Sequence, residues 1–290
     1  MRHPCCVNPG EPVNEVALIA VDLDGTLLTS AGDMAPQGMR LLQRAARRGV
    51  RVVLATTRNP GTTAVSCRQI GIADPMVCTN GAQVWASPDG PAWACHTIPH
   101  DAALAIAQLA DANGWELSIT VGAVTYWRQR PGQLLGRLRP GIEIARANAD
   151  AVVGDPVRVL ASGQEAIEAI KDLCRSTLSR QCHTETYYRP DGALHSLGIF
   201  GAGVDKGTGL DLVLGRLGID AEQTMAVGDN PNDVPMFARV GLSVAMGNAP
   251  ADVRQCATVV APSNDDEGVA WALRKFVLGA EGGDERDRES

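Results

Sequence analysis

The chain has 290 residues, 45% of them hydrophobic and 20% charged, with a formal net charge of −7. That length supports about two domains and a core that folds with no disulfide or metal staple, and the composition is globular rather than disordered or fibrous. The acidic balance, −3 of it in the last ten residues, and a 4% aromatic content argue against a polyanion-binding surface or a stacked-base platform, so no nucleic-acid partner is expected.

No stretch approaches the roughly 18 apolar residues that span a bilayer, so no membrane partner is expected. No apolar run precedes Pro12, so a secretory signal is not expected either. The eight cysteines form no CxxC pair and read as reduced, packed thiols of a cytoplasmic protein, with the adjacent Cys5-Cys6 in a frayed terminus.

The first element is Val16 to Val21, a short continuous apolar run that fits a strand covered on both faces. It ends in Asp22-Leu23-Asp24-Gly25-Thr26. Pro36 to Arg48 has helical apolar spacing, with Pro36 at the first turn and Gly49 as the stop. Val50 to Ala55 is a second buried strand, Pro60 to Ile70 a helix closed by Gly71, and Met76 to Thr79 a third strand. This alternation implies a parallel sheet with right-handed crossovers.

At Asn80-Gly81 the rhythm changes. Ala82 to Ala86 and Trp93 to Thr97 flank a hairpin signal at Asp89-Gly90, and a helix follows from about Asp101 to Ala112. Trp115 to Val121 and Ala123 to Arg128 read as a second hairpin, and Pro131 to Asp150 is rich in loop residues. Val157 to Ala161, Glu165 to Arg175 and Gln181 to Tyr188 read as strand, helix and alternating strand. This middle section is expected to be an α+β insert with an antiparallel sheet.

The parallel rhythm is expected to return at Leu194 to Phe200. The helix Lys206 to Leu217 and the strand Thr224 to Gly228 follow, and that strand runs into Asp229-Asn230-Pro231-Asn232-Asp233. Asn232 to Val240 is predicted helical, Leu242 to Met246 and Thr258 to Ala261 extended, and Glu267 to Leu278 helical. The predicted fold class is α/β: a Rossmann-like parallel-sheet core wound by helices, with an inserted α+β domain. The expected division is a tail at 1–14, a core from 15–81 and 196–279, an insert at 82–195, and a solvated acidic tail at 280–290.

In open α/β sheets ligands bind at the carboxyl ends of the strands. Asp22 and Asp24 fall there after the first strand, and Asp229 and Asp233 after Thr224 to Gly228. Carboxylates so close repel one another unless a cation intervenes, and a hard cation with oxygen ligands, Mg²⁺, resolves the conflict. Strand alternation puts Asp22 and Asp24 on one face, and Gly25 lets the chain turn sharply after them.

Val21 to Leu28, with its Asp22-Leu23-Asp24-Gly25-Thr26 core, resembles the first motif of the haloacid dehalogenase-like superfamily of hydrolases. Thr56 resembles the second, Lys206 in Val204-Asp205-Lys206-Gly207-Thr208 the third, and Gly228 to Asp233 the fourth. Thr79-Asn80-Gly81-Ala82 and Val244 to Ala249 are similar to the Cof-type branch, which includes sugar-phosphate phosphatases. The resemblance runs from about Val16 to Leu278. One departure is Thr57, in Thr56-Thr57-Arg58, where the family usually has glycine.

The resemblance implies that Asp22 attacks phosphorus to form an aspartyl-phosphate, and that Asp24 serves as general acid and then base, its proton held through proximity to Asp22 and partial burial. Mg²⁺ would be held by Asp22, the backbone carbonyl of Asp24, and Asp229, while Asp233 orients a metal-bound water or Lys206. Thr56, Thr57, Arg58, Lys206 and Asn232 would bind phosphate or substrate. The insert would be an α/β cap that reads the leaving group, with Arg128, Arg130, His183, Tyr187 and Arg189 as polar candidates and Trp85, Trp93, Trp115 and Trp127 as cap core. The expected activity is hydrolysis of a small phosphate ester, sugar phosphates first, by a Mg²⁺-dependent phosphatase. Phosphotransfer to a second alcohol and a non-catalytic phosphometabolite sensor are the alternatives. Oligomeric state is not legible.

Overall fold

The computed structural model describes residues 15–128, 141–188 and 193–279. Both predicted tails, Cys5, Cys6, Arg130, Arg189 and the first half of the 131–150 stretch lie outside the described residues. The chain divides into two compact units, one from residues up to 93 and from 205 onward, the other from residues 94–204.

The first unit begins with β1 (Leu18–Val21), α1 (Pro36–Arg47), β2 (Arg51–Ala55), α2 (Pro60–Ile70), β3 (Met76–Cys78), β4 (Gln83–Trp85) and β5 (Ala92–Cys95). β1 is fully buried along its length, as its unbroken apolar run requires. α1 starts on Pro36 and buries Leu41, Leu42 and Ala45. α2 is capped by Asn59, whose side chain accepts from the Thr62 N–H, and stops at Gly71 in the left-handed region.

The inserted unit follows with α3 (His100–Ala112), β6 (Leu117–Val121), β7 (Val124–Arg128), β8 (Ile142–Ala145), β9 (Arg158–Ala161), α4 (Gln164–Ser176), β10 (Cys182–Tyr188) and β11 (Leu194–Gly201). Its sheet has the order β10-β11-β9-β6-β7-β8 and is antiparallel except for the β7–β8 pair. Ile106, Ile167 and Ile170 of α3 and α4 pack on Leu117, Ile119, Val159, Leu197 and Ile199 of the sheet, so this unit has its own core. Each such fully buried side chain contributes about 1.5–3 kcal/mol.

The first unit resumes with α5 (Lys206–Leu217), β12 (Thr224–Gly228), α6 (Val234–Phe237), β13 (Leu242–Ala245), α7 (Ala251–Gln255), β14 (Val259–Val260) and α8 (Gly268–Leu273). The eight-stranded sheet has the order β14-β13-β12-β1-β2-β3-β4-β5. β14 through β3 are parallel, and β4 pairs antiparallel with β3. The fold is therefore α/β with an α+β insertion. Among the described residues no helix is long and apolar enough to cross a membrane.

Four expectations are corrected. The hairpin at 82–97 was expected in the insert, but Met76 lies opposite Trp85 and β4 and β5 extend the core sheet, so Trp85 belongs to the core unit. The strand from Leu194 was expected to rejoin the parallel core. It instead pairs antiparallel with the whole of β10 and with β9, because its Leu197 and Ile199 complete the core of the insert. The divisions therefore fall at 93/94 and 204/205 rather than at 81/82 and 195/196. The helix expected over Asn232 to Val240 is a 3₁₀ turn, Pro231–Asp233, followed by the four-residue α6. Asp233 draws the backbone N–H groups of Asp229 and Asn230 onto its carboxylate, which holds the tight turn.

Candidate active site

β12, β1 and β2 are parallel neighbours, with Val21 in register with both Val227 and Leu54, so their carboxyl ends lie side by side. Asp22, Thr56 and Asp229 come directly after these strands, and all three are buried. Lys206 is the first residue of α5, whose N-cap Asp205 and Thr208 form a reciprocal capping box. Gly25 has φ +82°, and a Cβ there would sit 2.3 Å from Asp229 Oδ2, so the first loop reaches Asp229 only with glycine. Thr26 Oγ1 donates to Asp229 Oδ1 at 2.9 Å.

Lys206 is 1% exposed and joins two acids. Its Nζ donates to Asp22 Oδ1 at 2.7 Å and to Asp233 Oδ1 at 2.6 Å. Asp233 Oδ2 accepts the N–H groups of Asp229 and Asn230 at 2.9 and 3.0 Å, so both of its oxygens are committed to protein donors. Asn230 Nδ2 donates to Asp229 Oδ2 at 2.9 Å.

Asp22, Asp229 and Asp233 each offer an oxygen, all within 4.8 Å of one another. These carboxylates outnumber the single buried ammonium. Burial pushes Asp22 up to about 7, with Lys206 opposing and Asp233 and Asp24 adding to the rise. Burial, then Asp22 and Asp233, raise Asp229 well above the usual carboxylate range. Burial disfavours the charge on Lys206, yet Asp22 and Asp233 outweigh it and hold its pKa above the usual lysine value. This buried negative excess fits a hard divalent cation. Asp233 accepts three donors, one of them the ammonium, whereas Asp229 accepts one neutral donor on each oxygen and Asp22 accepts Lys206 on Oδ1, so Asp22 and Asp229 are the side chains better able to hold one.

The Thr56–Arg58 segment is held by backbone. The Thr56 N–H donates to Val77 O at 2.8 Å, and Thr56 Oγ1 accepts from the Arg58 N–H at 3.1 Å. Arg58 meets Asp24 with a two-pronged fork, Nε to Oδ2 at 2.8 Å and Nη2 to Oδ1 at 2.6 Å, and this bond to Asp24 raises the arginine pKa. Thr57 stands where the family has glycine, and it is not among the residues with positive φ. The backbone there suits any residue, so a branched side chain does not stop Arg58 from reaching Asp24.

The Asp24 side chain is 54% exposed, more open than expected from the sequence. Exposed pairs like this contribute about 0–1 kcal/mol, so the Arg58–Asp24 contact opens at little cost.

Asn232 is buried and donates from Nδ2 to Asn80 Oδ1 at 3.1 Å. Asn80 and Asn248 were legible only as parts of a branch signature. Asn248 Nδ2 donates to Gly25 O at 2.8 Å and so braces the first loop. In the insert, Arg128 donates to the Trp115 carbonyl at 3.2 Å and lies 3.5 Å from Asp111, contacts internal to that unit. His183 Nδ1 lies 3.0 Å from Gly201 O, and its ring stacks on Phe200. Tyr187 lies on β10, close to the Gly198 position of β11. Trp93 lies in the core unit, under the Arg216 guanidinium.

Comparison with known proteins gives the family. Residues 19–273 match the haloacid dehalogenase-like hydrolase family. The phosphatase YwpJ of Bacillus subtilis is 29% identical over 90% of this chain and 99% of its own length. The 5-amino-6-(5-phospho-D-ribitylamino)uracil phosphatase YcsE of the same organism is 27% identical over 91% of this chain and 97% of its own. A haloacid dehalogenase-like hydrolase from Bacteroides thetaiotaomicron superposes with a TM-score of 0.77 at 22% identity, covering 90% of this chain and 99% of that one. The match over most of the chain, together with the acids at the strand ends, makes this protein a member of the haloacid dehalogenase-like hydrolases.

Proposed function

We propose that the protein is a Mg²⁺-dependent phosphatase that hydrolyses a small phosphorylated metabolite, a sugar phosphate or related monoester, through an aspartyl-phosphate on Asp22. The observation that carries this reading is the buried Asp22–Lys206–Asp233 group beside Asp229 at the strand ends. The two relatives YwpJ and YcsE are named phosphatases, which favours hydrolysis over transfer to a second alcohol.

In this reading Asp22 attacks phosphorus. Asp24, released from Arg58, protonates the leaving oxygen and then takes a proton from the attacking water. Lys206, Thr56 and Asn232 donate to the phosphoryl oxygens, with Arg58 and Thr57 at the rim. Asp233 keeps Lys206 charged and in place. Asp22, Asp229 and the Asp24 carbonyl hold Mg²⁺, which when bound offsets the negative charge of phosphate and carboxylates. The inserted unit acts as the cap that selects the leaving group.

Purified protein in Mg²⁺ is expected to release inorganic phosphate from members of a phosphomonoester panel. Excess chelator should lower the rate at least about 100-fold and added Mg²⁺ restore it. Undiminished turnover in chelator would remove the metal from the mechanism, and a panel with no turnover would remove the activity.

The raised Asp22 pKa also predicts how stability depends on pH. Its folded value of about 7 lies above the ordinary 3.8, so the folded state holds this proton more tightly than the unfolded chain. That contribution is complete below about pH 4 and is lost as pH rises through about 7. Metal-free protein is therefore expected to lose stability between about pH 4 and 7, and Mg²⁺, which displaces the proton, to oppose the loss. Urea midpoints across that range, with and without Mg²⁺, check it. A metal-free profile that rises with pH contradicts it.

A further inference from the structure

The segment after β3 carries features that the mechanism above leaves unused. Thr79, Asn80 and Gly81 have φ of 51°, 57° and 93°, three consecutive residues in the left-handed region. Two of these are not glycine, which is uncommon, and such strain collects at functional sites. The turn is tied to three site-bearing segments. The Thr79 N–H donates to Arg58 O at 2.9 Å, and the Asn80 N–H donates to Thr56 O at 3.0 Å. Gly81 lies against the backbone in front of Lys206, where a Cβ would fall 2.0 Å from Asp205 O. Asn80 Oδ1 accepts from Asn232 Nδ2 at 3.1 Å.

Asn80 is fully buried, and its Nδ2 has no hydrogen-bond partner among the described residues. A buried amide whose amino group meets no acceptor, on a strained backbone, is a poor choice for stability alone. An apolar side chain would avoid the unmet donor and a glycine the strain. What the amide supplies is the acceptor that fixes the Asn232 carboxamide. Asn232 directly precedes Asp233, the residue that holds Lys206.

We infer that Asn80 is a positioning residue for phosphoryl binding. It orients the Asn232 amide toward the phosphate and fastens the Thr56, Lys206 and Asn232 segments at one point. This rests on the phosphatase reading for what Asn232 binds.

Asn80→Gly removes the amide and keeps the left-handed backbone. Its kcat/KM with a generic phosphate ester in Mg²⁺ is expected to fall about 10- to 100-fold per folded molecule, a range typical when a buried hydrogen-bonded group is lost. Asn232→Ala is expected to lose a similar amount, and the double variant no more than about three-fold beyond the weaker single, because both changes remove one coupled unit. Activity of Asn80→Gly within about three-fold of the parent overturns the inference. So does a double variant whose loss is the product of the singles, or an Asn232→Ala enzyme that is unaffected. A merely structural Asn80 would lower the urea midpoint and leave kcat/KM of the folded fraction unchanged. Should the glycine variant not fold, Asn80→Ser, too short to reach Asn232, takes its place in the same cycle. The cycle is read in parallel as affinity for inorganic phosphate in Mg²⁺ by calorimetry. Loss of coupling there sinks the inference even where no panel ester turns over, whereas a parent enzyme that binds phosphate without turnover sinks only the phosphatase reading.

Discussion

Asparagine in place of Asp22 is expected to lower kcat for phosphate release by at least about 10⁴-fold while leaving the protein folded. In the proposed mechanism the Asp22 carboxylate is the group that attacks phosphorus, and a neutral amide of the same shape is a far weaker nucleophile. The substitution should not cost stability. Lys206 keeps Asp233 as a partner at 2.6 Å, and one of the crowded buried negative charges disappears. Steady-state rates in Mg²⁺ beside urea midpoints test both halves. Turnover within about 100-fold of the parent would mean that phosphate release does not depend on an Asp22 phosphoenzyme.

Lys206→Met is expected to be the most destabilising single change at the site. The ammonium is 1% exposed and is the shared hydrogen-bond donor of Asp22 and Asp233. Methionine matches its length without the charge and leaves two buried carboxylates facing each other. Removing one partner of a buried pair typically costs about 3–5 kcal/mol. Under the proposed mechanism phosphate-ester turnover should fall with it, since Lys206 would be a donor to the phosphoryl oxygens. Part of the lost stability should return in excess Mg²⁺, because a divalent cation relieves the same repulsion. Urea unfolding of the full chain with and without Mg²⁺ measures this. A midpoint equal to that of the parent in both conditions would show that Lys206 does not hold the acids together.

The two predictions rest on residues of different legibility. Asp22 and Asp229 could be found in the chain because each follows a short, unbroken apolar run, and a buried strand can end only where polar residues begin. Lys206 alone reads as an ordinary lysine at a helix start. Only its place in a motif marks it in sequence, and its bridge between Asp22 and Asp233 spans 184 and 27 residues. Arg58 is marked in the chain only by its place in a motif, and its fork onto Asp24 is a pairing across 34 residues. Asn80 reads only as part of the Thr79-Asn80-Gly81-Ala82 signature, and nothing nearby in the chain points to Asn232, 152 residues away.

The alternation of apolar runs with helical spacing carries the α/β class, and the polar residues that end those runs mark where the buried carboxylates Asp22 and Asp229 lie. These depend on local burial and on which residues can end a strand, and both are written in short stretches of chain. Where the insert ends is another matter. Leu-Gly-Ile-Phe at 197–200 is apolar enough for either sheet, and only the partners available across the strand, β10 and β9 rather than the parallel core, decide between them. The protonation of the acids is decided in the same way. An aspartate is pushed to about 7 by what surrounds it once the chain is folded. Burial and opposing charges come from segments that meet only in three dimensions.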